Sequence, residues 1–510
     1  MDTLQILAGN IIQWSVLTLF FVMGLGILYI AILYVIDKTQ TKQTIRRNYP
    51  VVGRFRYFFE HIGEFFRQYF FAMDREELPF NRADRSWVYR AAKKVDTTIA
   101  FGSTRPLNIQ GEPIFINCPF PTLDKNVMPS RDITIGDGFV EKPYTTNSII
   151  NISGMSFGAI SKPAVQALSK GAKAAGIWMN TGEGGLSPYH LEGGCDIVYQ
   201  IGTAKYGVRT KDGELSDEKL REVASHPQVK MFEIKMSQGA KPGKGGILPG
   251  AKVNKEISEI RGINIGEDSI SPNGHEDIAS VDDLLDMIER VRKVTGRPVG
   301  FKTVVGHLHF FQDLCEKIHA RGIQSAPDFI TLDSADGGTG AAPQPLMDYM
   351  GMNIQESLPL VVDILTAHAL KDRVKIIASG KLLVPGKAAW ALAAGADFIV
   401  SARGFMFALG CIQALQCNKN TCPTGITTHK KSLQDGLVPE DKAKRVANFA
   451  NKLVYGVGLI AHSCGVKEPR ALNRKHVRII EHNGRSTPFA EIYPTPEVKT
   501  EYVKLMEEAK

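Results

Sequence analysis

Three of the seven cysteines, Cys411, Cys417 and Cys422, fall in the stretch "GCIQALQCNKNTCPTG" with the spacing C-x5-C-x4-C. Cys118, Cys195, Cys315 and Cys464 are scattered singly. An odd number and this scatter argue against a disulfide framework and for a reducing compartment. Thiolates at such spacing are metal ligands by type. A structural zinc ion takes four ligands, usually including a closer Cys pair, and His429 is the available fourth. Iron–sulfur clusters are held by cysteine thiolates, often with proline after the last, and Cys422–Pro423 matches. Three thiolates suit a three-iron cluster, or a four-iron cluster with one non-cysteine ligand. Spacing alone leaves iron–sulfur, zinc and no metal open, and favours iron–sulfur.

A second group of residues points to an anionic ligand. Glycine and polar residues recur in "SGMSFGAIS", "NTGEGG", "GTAKYG", "SQGAKPGKGG", "DSADGGTGA", "SGK" and "ARG". Each follows a short β-branched run, and glycines let backbone N–H groups approach a ligand closely. The runs are 149–153, 177–180, 196–201, 231–236, 299–304, 328–333, 374–379 and 397–402. Helical stretches separate several of them: Lys162–Ala175, Val281–Val294, Phe310–Ala320, Leu358–Leu370 and Gly386–Ala394. Eight strands with helical crossovers predict an α/β fold, the (β/α)8 TIM barrel. An open doubly wound sheet is the rival, but no G-x-G-x-x-G follows the first strand. Barrel chemistry sits just past the strand C-termini, and phosphate sites form after strands 7 and 8. Gly380, Lys381, Arg403 and Gly404 fall there. The plainer reading is that these are ordinary tight turns.

The N-terminus has a different composition. From Thr3 to Ile36 there is no Asp, Glu, Lys or Arg. As a helix, Ile11–Ile36 would run roughly 39 Å, enough to cross a hydrocarbon core of about 30 Å with tilt. No basic segment precedes it and no small-x-small site follows, so a cleavable leader fits poorly. Lys38, Lys42, Arg46, Arg47, Arg54 and Arg56 follow the run, and only Asp2 precedes it. The positive-inside rule then predicts a single-pass anchor in the cytoplasmic membrane with the catalytic domain in the cytoplasm. In "RFRYFFEHIGEFFRQYFF", Phe55, Phe58, Phe59, Ile62, Phe65, Phe66, Tyr69 and Phe70 recur at helical spacing. Such a helix lies on a membrane or packs its aromatic face on the main domain; Glu60 and Glu64 dilute the basic face and favour packing. The net charge of +8 is modest, and no basic stripe with interleaved aromatics calls for nucleic acid.

These stretches together resemble the synthase domain of glutamate synthases, in the smaller single-domain bacterial form. The matching residues are "GMSFGAIS" (154–161), "NTGEGG" (180–185), "IKMSQGAKPGKGG" (234–246), "ISPNGHEDI" (270–278), "DGGTGA" (336–341) and "ALGCIQALQCNKNTCPTGI" (408–426). The resemblance covers about residues 95–465 and, with the N-terminal pattern read above, gives the organisation expected here. That is an anchor (1–37), an amphipathic and collar region (38–148), a barrel (149–465) with an iron–sulfur segment (408–426), and a C-terminal extension (466–510). It implies FMN in the barrel mouth and a [3Fe-4S] cluster on Cys411, Cys417 and Cys422. Ser153, Gly154, Met155 and Ser156 are then expected along the flavin, and Gln200 and Lys302 at its ring. Gly337, Gly338, Gly380, Lys381, Arg403 and Gly404 are expected at its phosphate. Lys235, Gln238 and Arg261 resemble the residues that bind 2-oxoglutarate, although Arg261 could instead be a surface ion pair. Glu183 is the candidate proton donor or acceptor, with Lys235 and Lys302 completing the catalytic set.

The implied reaction reduces an imine, formed from a 2-oxo acid and ammonia or an amine, with electrons passing from the cluster to FMN. Ferredoxin, a separate reductase or a membrane carrier could supply them. The chain has no cysteine before Cys118, so ammonia from an N-terminal-cysteine glutaminase is not expected, and "ASGK" (378–381) replaces the Asp-Gly-Gly of the larger enzymes. Two other readings share these residues. One is an amino-acid dehydrogenase feeding membrane carriers. The other is a non-catalytic relay or scaffold subunit of a membrane complex.

Overall fold

Eight β-branched runs become eight parallel strands because each is apolar on both faces, and only a sheet covered on both sides buries such runs. In the computed structural model, which describes residues 2–96 and 98–502, the chain divides into two units, Met1–Arg82 and Ala83–Lys510. The side chains of Glu64 and Phe65, and residues 503–510 of the expected C-terminal extension, lie outside the described residues.

In the second unit the strands are Ile150–Ile152, Met179–Asn180, Ile197–Ile201, Val229–Lys235, Val299–Val304, Phe329–Asp333, Lys375–Ser379 and Phe398–Ser401. They form one closed barrel in chain order, and the eighth pairs in parallel with the first through Ile399 and Ile150. All eight strands predicted from the sequence are present, and the rival open sheet is excluded by closure. The helices carry their own stop and start signals. Ser161 accepts a hydrogen bond from the Ala164 amide to start Lys162–Ala175, and Gly176, at φ +67°, ends it. Ser280 and Gly296 do the same for Val281–Thr295.

The barrel is stoppered at the strand N-termini. A hairpin of Ile133–Ile135 and Tyr144–Thr146 inserts Ile135 and Tyr144 into a cluster with Trp178, Phe329 and Phe398. The Trp178 ring sits 5.0 Å from Phe398 and 6.1 Å from Tyr144, centroid to centroid. Beneath the sheet, buried Asp328 binds Arg292 at 3.1 Å and Arg373 at 2.8 Å, and Arg373 covers the Phe139 ring of the hairpin loop. The mouth at the strand C-termini is the end left for ligands. Pro113–Phe115 pairs with Val477–Ile480, which pairs with Ser486–Pro488, so collar and C-terminal extension share a three-stranded sheet.

In the first unit, Asp2–Thr39 is one helix, and its Gln5–Thr39 portion is long and apolar enough to cross a membrane. A short helix, Thr44–Asn48, and a longer one, Gly53–Phe66, follow; the latter continues as a wider turn over Arg67–Phe71. Phe55, Phe58, Phe59, Phe66, Tyr69 and Phe70 are all exposed.

Candidate active site

Glu183 lies on the loop after the second strand and Lys235 ends the fourth. Their side chains meet at 2.8 Å. The loops leave room for this only because two neighbours lack Cβ atoms. A Cβ at Gly202 or Gly246 would stand 2.5 Å from the Glu183 side chain. Lys241 and Arg261 complete the surround. Burial opposes the charge on Glu183, but Lys235, Lys241 and Arg261 outweigh it and hold the carboxyl below its ordinary value. Burial lowers Lys241 to about 8, with Lys235 adding repulsion and Glu183 opposing. Arg261 is not the surface ion pair that sequence allowed. It is buried, donates to Ser269 and Ser156, and lies over the Tyr206 ring. Its Nε has no hydrogen-bond partner. His275 packs beneath, its Nε2 bonded to the Lys235 carbonyl at 3.1 Å. Gln238 is half-buried on the same loop as Lys241.

Deeper in the mouth is a cavity lined by Ser153, Asn180, Glu233, Lys302, Thr331 and Val400, among others. Lys302 ends the fifth strand's buried run and binds Asp333 at 3.0 Å. Burial works against its charge, but Asp333 and Glu233 outweigh it and raise its pKa. Glu233 is a buried carboxylate that accepts from Asn180 at 2.9 Å, Gln200 at 2.6 Å and Thr331 at 2.6 Å. These bonds fix the Gln200 amide beside Gly154, where a Cβ would stand 3.1 Å from its Nε2. Ser153, Met155 and Ser156 are buried on the same loop. On the other side, Gly380 has φ +145° and a Cβ there would collide with Ser334. The Arg403 guanidinium covers Gly338, next to Gly337, and donates to the Thr339 carbonyl at 3.0 Å. Gly404 donates to Ser401 at 3.1 Å. Lys381 binds Asp336 at 2.9 Å.

The cysteine loop joins this mouth through two cations. The Arg403 Nη1 lies 3.9 Å from the Cys417 sulfur, and buried Lys252 donates to the carbonyls of Cys417 at 2.8 Å and Ala159 at 3.4 Å. Tyr89 donates to the Cys411 carbonyl at 2.6 Å. Three of the ten non-glycine residues with positive φ among the described residues are here: Gln413, Leu415 and Asn420. Such conformations cost energy and persist where function requires them. All three thiols are free. Burial raises the Cys411 thiol to about 11, with the Gln413 amide and Arg403 opposing and Cys417 and Cys422 adding to the rise. Burial also acts on Cys422, but bonds from Thr424 and Thr427 draw it below its ordinary value. Among the described residues, no group of three or more His, Cys, Asp or Glu is tight enough for a single metal ion. His429 Nε2 is bonded to the Gly158 carbonyl at 2.8 Å, which leaves Nδ1 as its other ring nitrogen.

Residues 122–467 match the family model described as the conserved region in glutamate synthase. The chain belongs to the glutamate synthase family. It is thereby an oxidoreductase, and the scaffold reading falls. The glutamate synthase large subunit-like protein YerD of Bacillus subtilis is 38% identical over 91% of this chain and 95% of its own length. The archaeal glutamate synthase [NADPH] of Methanocaldococcus jannaschii is 34% identical over 64% of this chain, which spans only 62% of that relative. Among solved structures, a flavocytochrome b2 variant with benzoylformate is 14% identical, covers 82% of this chain and 85% of its own, and has a TM-score of 0.46. That match is too loose to add to the barrel seen directly. Within this glutamate synthase-family site, sequence reasoning missed Lys241, Glu233, Asp333 and Lys252. Lys241 stood in a glycine-rich motif already singled out. Glu233 and Asp333 were legible only as charges within apolar strands, where burial without a partner is costly.

Proposed function

We propose that this chain is a membrane-anchored flavin oxidoreductase that reduces the imine of a 2-oxo acid, 2-oxoglutarate with ammonia or an amine, to an amino acid. One observation carries the reading. Lys235, Lys241 and Arg261 face one carboxylate, Glu183, which leaves two positive charges at the barrel mouth. That complements a dicarboxylate dianion.

FMN is the group the mouth fits, with Gln200 and Lys302 beside its ring and Gly337, Gly338, Gly380, Lys381, Arg403 and Gly404 toward its phosphate. A [3Fe-4S] cluster fits Cys411, Cys417 and Cys422. When bound, FMN supplies a hydride and the cluster supplies single electrons. The chain's own residues do the rest. Lys235, Gln238 and Arg261 bind and orient the dicarboxylate. Glu183, held ionised, takes the proton that ammonium or an amine cation must shed before it attacks the keto carbon. Lys241, with a pKa of about 8, gives up its proton as water leaves, and protonated Glu183 returns the proton it took as the product nitrogen becomes an ammonium. Asp333 keeps Lys302 charged, and Glu233 fixes the Gln200 amide.

The test uses the full chain, purified without oxygen and reduced with dithionite. Addition of 2-oxoglutarate and ammonium is expected to reoxidise the flavin and yield glutamate. Reduction of the oxidised protein by glutamate alone would favour a dehydrogenase instead, and no reoxidation by any 2-oxo acid with an amine would overturn the assignment. The anchor is read from Gln5–Thr39 and the basic residues after it, with the catalytic unit on the cytoplasmic side. Alkaline carbonate washing is expected to leave the chain in the membrane pellet.

A further inference from the structure

Asp37 sits near the end of the apolar helix, yet its side chain is fully buried. Groups from beyond the corner enclose it. Arg46 donates at 3.0 Å, Arg54 at 2.7 and 2.8 Å, and the Val51 amide at 3.0 Å. Gln40 bonds the Asp37 and Gln43 carbonyls at 3.2 and 2.8 Å. Gly53 packs so closely on the Thr44–Asn48 helix that a Cβ would lie 2.8 Å from the Ile45 carbonyl oxygen. Arg54 belongs to the first turn of Gly53–Phe66. The carboxylate at the end of the apolar helix therefore fixes where the next helix begins and in what direction it leaves.

That next helix is two-faced. Phe55, Phe58, Phe59, Ile62 and Phe66 share one side at i, i+3, i+4, i+7 and i+11 spacing. Phe59 is 64% exposed, and Phe70 and Phe71, on the turn that follows, are 74% and 73% exposed. Arg56, Glu60 and Arg67 lie on the opposite arc. Left in water, this aromatic surface is unfavourable in proportion to its exposed area.

We propose that Gly53–Phe71 is an interfacial membrane helix. It lies along the headgroup boundary of the leaflet through which the anchor exits, with its phenylalanines in the acyl region and Arg56 and Arg67 at anionic headgroups. The occupant is lipid because the face is continuous with the span and tied to its end by Asp37. Cations also dominate the flanks, at Lys38, Lys42, Arg47, Arg56 and Arg67. The inference rests on the anchor reading of the preceding section. Its consequence is that the N-terminal unit meets the membrane along two helices rather than one.

The test is fluorescence of the full chain in phosphatidylglycerol-containing vesicles whose lipids are brominated near the headgroup or near the chain end. Of the four tryptophans Trp14 alone lies in the span, so the emission lost in Trp14→Phe reports it. Phe59→Trp places a reporter on the aromatic face, and Glu60→Trp one on the polar arc. The emission added by Phe59→Trp is expected to be quenched about twofold more than that added by Glu60→Trp, and best by bromine near the headgroup. Equal quenching of the two, or none for Phe59→Trp, overturns the proposal. So does Phe59→Trp emission that is shielded from lipid by self-association or a protein partner. If Trp14 escapes bromine near the chain end, the anchor reading fails on its own, whatever Phe59→Trp shows.

Discussion

Glu183 is the residue on which charge and geometry converge, because Lys235 pairs with it while Lys241 and Arg261 lower its pKa at a distance. Replacing Glu183 with Gln keeps the shape and removes the proton acceptor. Turnover of 2-oxoglutarate and ammonium is expected to fall about 10^2- to 10^4-fold, with bound FMN per chain unchanged. Lys241 sets a pH limit. Its pKa is lowered to about 8, so it is a cation at pH 7 and becomes neutral as pH rises through that value. The KM for 2-oxoglutarate is therefore expected to climb above about pH 8, and Lys241→Arg, which stays charged, is expected to flatten that climb. A pH series of initial rates on both proteins checks it.

At the scale of elements, the site is a meeting of loops, and each loop holds its shape for a reason of close approach. Gly246→Ala puts a Cβ 2.5 Å from Glu183, so the ion pair to Lys235 must move. Activity is expected to drop at least tenfold while the unfolding midpoint shifts little, since the loop is at the mouth and not in the core. Cys417→Ala is expected to abolish protein-bound iron, measured colorimetrically on folded material, and to leave the flavin absorbance in place. These elements were legible in sequence to differing degrees. Strands and helices were, since β-branched runs and Ser or Gly caps state themselves locally. The Glu183, Lys235 and Arg261 grouping came from motif resemblance, because no local rule brings three separate loops together. Lys252 could not be read at all. Its partners are backbone carbonyls, at Ala159 and Cys417, which carry no side-chain signal. The direction of the aromatic helix could not be read either, because Asp37, which sets it, stands just past the apolar run and its partners Arg46 and Arg54 come only after a further turn.

At the scale of the whole molecule, a buried ion cluster braces the end of the barrel opposite the chemistry. Asp328 is fully buried between Arg292 and Arg373 and also accepts from the Val299 amide at 2.8 Å. Removing it strands two buried cations. Asp328→Ala is expected to destabilise the barrel by roughly 3–5 kcal/mol in urea titrations, with the mouth's ligand affinity unchanged in the folded fraction.

The stoppering hairpin has a consequence for biosynthesis. Ile135 and Tyr144 leave the ribosome before any barrel strand, but Phe398, which shares their cluster, is made hundreds of residues later. The first strand likewise waits for the eighth. Closure of the ring is thus a late, long-range event. Until it occurs, a greasy cork stays uncovered in the nascent chain, so slowed translation of the last strands should bring chaperone dependence before it brings any loss of catalytic competence.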